Sequence, residues 1–283
     1  MATPFATPRA RALGFGLRKC REARNFGVRE LARLIGVHAQ ELSNWEYGKR
    51  IPKVEQVALL MGVLVVEPGE RARLLELART AREPSWLEKM VPGVEPIVST
   101  YAEYERDATA IFAWQPLLVP GLLQTDGYVR AMFTDLGLAE VQIEKLVQVK
   151  RARRSVITRY DPLPYHVVVD EAALRRCIGP PAIMLEQLRS LSAMSNRRHI
   201  RLQVLPAGGK FHPGYWGPFM ILEFAQLPPI VFVEHYRASA YLYDEDQIAD
   251  YRSAAKTLAG LALSEQESCA LIGEVAAELG GAG

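Results

Sequence analysis

The stretch Val28-Arg29-Glu30-Leu31-Ala32-Arg33-Leu34-Ile35-Gly36-Val37-His38-Ala39-Gln40-Glu41-Leu42-Ser43-Asn44-Trp45-Glu46-Tyr47-Gly48-Lys49-Arg50-Ile51-Pro52 decides the fold of the first third of this 283-residue chain. Leu31, Leu34 and Ile35 recur at helical spacing, which predicts a short amphipathic helix over Val28 to Ile35. Ala32 supplies the small side chain needed where two helices cross closely. Gly36 falls at the following turn, where a positive φ is easiest for glycine. A second helix is predicted from Ala39 to Tyr47. Its Leu42 and Trp45 point to one side as core anchors, and Ala39, Gln40, Ser43 and Asn44 share the opposite arc.

That arc carries short, uncharged side chains and two amides. Gln and Asn make bidentate hydrogen bonds to adenine, and Ala touches a thymine methyl. The run Gly48 to Pro52 ends the helix and sets Lys49 and Arg50 beside it, in a place suited to phosphate contacts, and Arg29 is a third candidate for that role. The pattern predicts a helix-turn-helix whose second helix enters the major groove of DNA.

The segment resembles the phage-repressor-like helix-turn-helix family, the XRE-type regulators, from about Leu13 to Leu77 and over five predicted helices. The small residue, the turn glycine, the anchors of the second helix and the Trp45-Glu46-Tyr47-Gly48-Lys49-Arg50-Ile51-Pro52 exit all fall in register. The resemblance implies an ion pair between Arg21 and Glu46, and base-reading positions at Ala39, Gln40 and Asn44. Several members carry Gln where this chain has Ala39, so the departure bears on sequence preference. His38 takes the N-cap position, where Ser or Thr is usual, and predicts a weaker cap.

Charge distribution points the same way. The chain as a whole is only +2, but residues 1–53 hold eleven Lys and Arg against four Asp and Glu, and the remainder is net −5. The cations concentrate on the segment predicted to meet phosphate.

A length of 283 residues suits about two domains, and 49% hydrophobic residues allow sizeable cores. Residues 1–12, rich in Pro, Thr, Ala and Arg, read as a flexible arm, with Arg9 and Arg11 able to lie along phosphates. Residues 13–82 read as the DNA-binding domain, the Pro-punctuated 83–97 as a linker, and 98–283 as a second domain. No apolar run is long enough to span a bilayer and no basic-then-apolar leader is present, so a cytoplasmic, nucleoid-associated protein is expected. Cys20, Cys177 and Cys269 are odd in number and far apart, and read as reduced thiols. No metal and no cofactor is expected.

In the second domain, helices are predicted over Thr100 to Ala113, from Asp126, over Ala139 to Arg159 and Pro181 to Met194, and over Gln247 to Leu261 and Ser264 to Leu279. Strands are predicted at Tyr165 to Val169, Ile200 to Leu205, Phe219 to Phe224, Ile230 to Glu234 and Ser239 to Tyr243. The expected architecture is therefore an all-α helix-turn-helix domain followed by an α/β (α+β) domain, a small sheet flanked by helices. The string Leu118-Val119-Pro120-Gly121-Leu122-Leu123-Gln124-Thr125, then Tyr128, Val169 to Arg176, Val204-Leu205-Pro206, His212-Pro213-Gly214 and Gly217-Pro218-Phe219, resembles the DUF5753 domain attached to many actinobacterial helix-turn-helix regulators. The resemblance spans roughly Ser85 to Ala276. It implies a regulator whose appended domain has no established chemistry, encoded in many cases beside a small DUF397-type protein and associated with developmental and antibiotic control.

Catalytic signatures are sparse, and no enzyme activity is expected. Asp170-Glu171 ends a strand, where active-site carboxylates often sit, but a helix N-cap with a first-turn acid is the preferred reading. His166, His199, His212 and His235 lack short metal-ligand spacing. The run Lys150-Arg151-Ala152-Arg153-Arg154 reads first as a solvated face and second as further phosphate contacts. The loop Leu117 to Leu123 reads first as core. Its alternative is an apolar pocket with Trp114, Gln124, Tyr128, His212 and Trp216 as walls and polar handles. The resulting expectation is a sequence-specific regulator, a homodimer on an inverted repeat, governed through its second domain by a small partner protein or ligand. The alternatives are an antitoxin-like autoregulator of a neighbouring protein and a DNA-targeted enzyme.

Overall fold

A computed structural model describes residues 8–82, 86–89, 102, 104–225, 227–235 and 238–281. The chain divides into two units, one of residues 1–87 with 240–243 and one of 88–239 with 244–283.

Unit 1 is a helical bundle: α1 Pro8–Ala23, α2 Val28–Leu34, α3 Ala39–Glu46, α4 Val54–Val63 and α5 Pro68–Thr80. Leu13, Leu17, Leu31, Leu42, Trp45, Leu60 and Leu74 form its core. Helix α1 packs on both α3 and α5. The crossing with α3 is set by Gly14, where an added β-carbon would stand 2.5 Å from the Trp45 carbonyl oxygen. The two backbones therefore meet with no side chain between them. A flexible arm over residues 1–12 does not hold for its second half. Pro8 suits the first turn of a helix, Ala10, Leu13 and Leu17 fall on one face of α1, and Arg11 is buried rather than aligned for phosphate. Residues 1–7 lie outside the described residues.

Unit 2 is built on a mixed sheet. Strands β2 (Ala110–Gln115), β3 (Tyr165–Asp170) and β4 (Ile200–Leu205) run parallel, with β3 in the middle. Strand β5 (Phe219–Glu223) pairs antiparallel with β2 on one side and with β6 (Ile230–His235) on the other. Strands β1 (Trp86–Lys89) and β7 (Ala238–Leu242) are also described, and each has residues in both units. Val167, Val168 and Val169 of β3 are all fully buried, as a parallel strand covered on both faces requires. The helices are α6 Asp126–Asp135, α7 Glu140–Arg154, α8 Glu171–Arg175, α9 Pro181–Ser195, α10 Glu245–Leu261 and α11 Glu265–Gly281. Four caps come from side chains: Thr125, Asp170, Asp244 and Ser264 accept from the backbone N–H groups of Tyr128, Ala172, Asp246 and Glu267. The three cysteines are free thiols. Among the described residues no helix is long and apolar enough to cross a membrane.

Three further expectations are corrected. The helix predicted over Thr100 to Ala113 is helical only through residue 107, and Ala110–Gln115 is strand β2. Tyr104, Ala108 and Ile111 fit a helical stripe, but Ile111 and Ala113 also alternate, and pairing with β3 and β5 on both edges decides for the strand. The predicted linker 83–97 contains β1; its residues 83–85 and 90–97 lie outside the described residues. The basic run of α7 is solvated only in part: Arg151 is 63% exposed, while its cationic neighbours turn inward. Arg153, 11% exposed, forks onto the buried Glu105 at 2.7 and 2.9 Å. Arg154 bonds the Gln124 carbonyl and Asp126, and Arg151 also pairs with Asp126, so the run ties down the 117–125 loop and the start of α6.

Lys150 shares this cluster. Burial, and then the neighbouring Arg153, push its ammonium down to about 8 from an ordinary 10.5, against the opposite pull of Glu234 and Glu105. A folded-state value below the unfolded one means stability that is complete above 10.5 and is lost as pH falls through about 8. Lys150→Met is therefore expected to raise the thermal unfolding midpoint at pH 7, with the advantage shrinking above about 8 and vanishing near 10.5. Calorimetry across that range checks this; a gain independent of pH would contradict it.

Candidate nucleic-acid interface

Helices α2 and α3 are joined by a tight turn at Gly36, which adopts φ +72°. The Val37 N–H reaches back to the Ala32 carbonyl at 3.0 Å and closes the α2 end. Leu31 and Ala32 on α2 and Leu42 and Trp45 on α3 are buried, so the apolar stripe of each helix fixes its rotation. His38 is the α3 N-cap and makes no side-chain capping bond.

The rotation leaves the other arc of α3 outward. Gln40 is exposed, and Ala39, Ser43 and Asn44 are half-buried. Gln40 Nε2 donates to Asn44 Oδ1 at 3.3 Å, one turn along, so the two amides form a single polar edge. The Arg50 N–H bonds the Asn44 carbonyl at 3.1 Å, and Pro52 is buried, which holds the exit segment against the helix end. Lys49 and Arg50 are exposed there, and Arg29 is exposed on α2. Lys49 Nζ and Arg18 Cζ each lie 5.7 Å from the Tyr47 ring centroid. Arg18, on α1, is a cation that the linear pattern does not single out. It is brought to the end of α3 by the α1–α3 crossing.

Behind this surface Arg21 and Glu46 form a bidentate pair, Nε to Oε1 at 2.6 Å and Nη2 to Oε2 at 2.9 Å. Glu46 is 2% exposed, and the third guanidinium nitrogen donates to the Phe26 carbonyl at 2.8 Å. Glu46 ends α3, where the helix dipole disfavours a carboxylate, so the arginine must compensate both burial and dipole. The hydrogen bond to Glu46 raises the Arg21 guanidinium above its ordinary range, against desolvation. One side chain thus joins α1, the 26–27 turn before α2, and α3.

In unit 2 the five residues of the alternative pocket separate into three places. Trp114 is fully buried, donates from Nε1 to the Gly214 carbonyl at 2.9 Å and meets His212 edge-on at 5.9 Å. Gln124 and Tyr128 are core residues that meet at Val119, whose carbonyl accepts from Gln124 Nε2 and whose N–H donates to the Tyr128 hydroxyl. Trp216 stands 82% exposed on the surface. The loop Leu117 to Leu123 contributes Val119, Leu122 and Leu123 to packing. Asp170 is the N-cap of α8, and Glu171 accepts from the Ala207 N–H and from Arg175, which together hold its carboxyl below the usual range.

The family model described as a domain of unknown function, DUF5753, matches residues 98–274. The chain belongs to the DUF5753 family. In this DUF5753 protein the preceding residues 12–74 match a second model, described as a helix-turn-helix domain, and the match covers α2, the Gly36 turn and α3. No curated protein matches the chain. One solved structure, described as that of TrmBL2, an archaeal chromatin protein with a novel mode of DNA binding, is similar at 12% identity over 89% of this chain and 93% of that one. Its TM-score of 0.31 is too low for any argument to rest on it.

Removing one member of a buried ion pair strands the other, at a cost of about 3 kcal/mol or more. Glu46→Ala is therefore expected to lower hydrogen-exchange protection of the Leu42 and Trp45 amides on the order of a hundredfold. Unchanged protection would show that the pair does not hold the bundle.

Proposed function

We propose that this protein is a sequence-specific transcription regulator of the XRE type that reads the major groove with α3. The observation that carries the reading is the outward amide edge of Gln40 and Asn44, held in place by the Arg21–Glu46 pair and flanked by exposed cations. A locked helix with a polar, uncharged face and cations at its end has the parts that base reading and phosphate positioning need. In this reading Gln40 and Asn44 bond base edges, Ala39 and Ser43 make close contacts, and Lys49, Arg50 and Arg29 meet phosphates.

A single short helix reads only a few base pairs. Readers of this kind work in pairs on half-sites about one helical turn apart, so the operator is an inverted repeat and the protein a cytoplasmic homodimer. Unit 2, net acidic and without a catalytic signature in its sequence, is the part on which a small partner protein or ligand acts. It does so as a regulatory rather than an enzymatic domain.

Asn44→Ala or Gln40→Ala should cost about 1–3 kcal/mol at the operator and flatten base preference. Lys49→Ala or Arg50→Ala should weaken all sequences alike and make the slope of log affinity against log salt shallower by about one for each phosphate no longer neutralised. Binding-site selection with each variant checks both; an unchanged preferred sequence for Asn44→Ala would overturn the register. The stoichiometry of the protein on its selected site, by analytical ultracentrifugation, should be two chains per inverted repeat. One chain on an asymmetric site would exclude the dimer.

A further inference from the structure

On unit 2, the segment after β4 carries three large aromatic side chains in the open. Phe211, Tyr215 and Trp216 are 73%, 64% and 82% exposed. Phe211 stacks on Tyr215 at 5.4 Å and meets Trp216 edge-on at 6.3 Å, so the three form one raised patch. Beside it lies a groove of about 270 Å³ between the sheet and α10, with Trp216, Phe219, His235, Asp250, Tyr251 and Ala254 in its lining. Phe219 and Tyr251 pack edge-on at 4.9 Å and make one wall apolar.

Asp250 is the carboxylate of that groove, and among the described residues it has neither an ion pair nor a hydrogen bond. The cation two residues along α10, Arg252, is taken up by both oxygens of Glu223 at 2.6 and 2.7 Å. Asp246 is exposed one turn before Asp250 on the same helix face, a like-charge spacing that a helix tolerates at a cost. Aromatic faces beside an unpaired carboxylate attract a cation, and a planar guanidinium satisfies both, stacking on the rings and bonding the carboxylate through its fork. The raised patch is too large to be covered by a molecule that fills only the groove. Contiguous exposed aromatics of this kind are the composition of protein-binding centres.

We propose that this groove receives an arginine side chain of a partner protein, paired with Asp250, while the apolar flank of that arginine covers Phe211, Tyr215 and Trp216. The proposal rests on the reading of unit 2 as the part that takes a partner, but its test contains no DNA, so its failure and that of the DNA reading are separable.

The probe is a display library of short peptides with a central arginine between apolar residues, selected on the full-length protein. The selected peptides are then remade with citrulline in place of arginine. The arginine peptides should bind at least tenfold tighter than their citrulline twins. Asp250→Asn should abolish that difference, and Trp216→Ala should weaken both forms. Both substitutions are at exposed positions, and an unchanged thermal midpoint confirms the fold. Failure to select any arginine-dependent peptide, equal affinity for the citrulline twins, or discrimination retained in Asp250→Asn each overturns the proposal. N-acetylarginine amide competing at the same concentration as the peptide would make the groove a small-cation site and overturn the partner.

Discussion

The bidentate contact between Arg21 and Glu46 is the constraint on which the outward face of α3 depends. A carboxylate that is almost fully buried at the end of a helix is tolerable only with a partner of good geometry. That partner sits near the end of another helix and also serves the Phe26 carbonyl. The pair therefore does more than join two charges. It ties α3 to α1 and to the turn that enters α2, and with the buried Leu42 and Trp45 it holds α3 with Gln40 and Asn44 on its outer arc.

Unit 2 uses charge in the same internal way. The four cations of the α7 run look from the sequence like an outward surface, but Arg153 and Glu105 lie 48 positions apart and meet in the interior. Arg151 and Arg154 converge on Asp126, in the first turn of α6. Burial works against that carboxylate, yet the two arginines hold it below its usual range. With the arginines engaged by carboxylates and carbonyls in this way, Lys150 is the member of the run that burial penalises.

The parts legible in the sequence are those whose determinants are local. The two-domain order, the helix-turn-helix and most sheet strands follow from spacing within a few residues: the Gly36 turn, the Leu42–Trp45 stripe, the Val167–Val169 run. What escapes depends on distant partners. Strand β2 carries a helix-compatible stripe until β3 and β5 flank it. The helix over residues 8–12 is set by burial against the rest of unit 1, while the Pro-Thr-Ala composition around it suggests an arm. Trp114, Gln124, Tyr128 and His212 have the residue types of a pocket, and only the fold shows that they are packed in the core while Trp216 is not. The acceptor of Arg18, the Tyr47 ring, is 29 positions away and gives no linear signal.

The close approach at Gly14 has a mechanical consequence. Where two helices touch through side chains, they shift past one another by a change of rotamer, and small shear motions are cheap. Here the carbonyls of Trp45 and Glu46 press directly on the backbone of α1, with no such layer between. At this crossing α3 has no soft coordinate along which to slide or roll against α1. If the protein is the regulator proposed above, its signal does not act by gradually reshaping α3. Under that proposal the signal acts on unit 1 as a rigid body or on its availability to DNA, so control is set by placement and availability of the reader, while the selectivity of its surface stays constant.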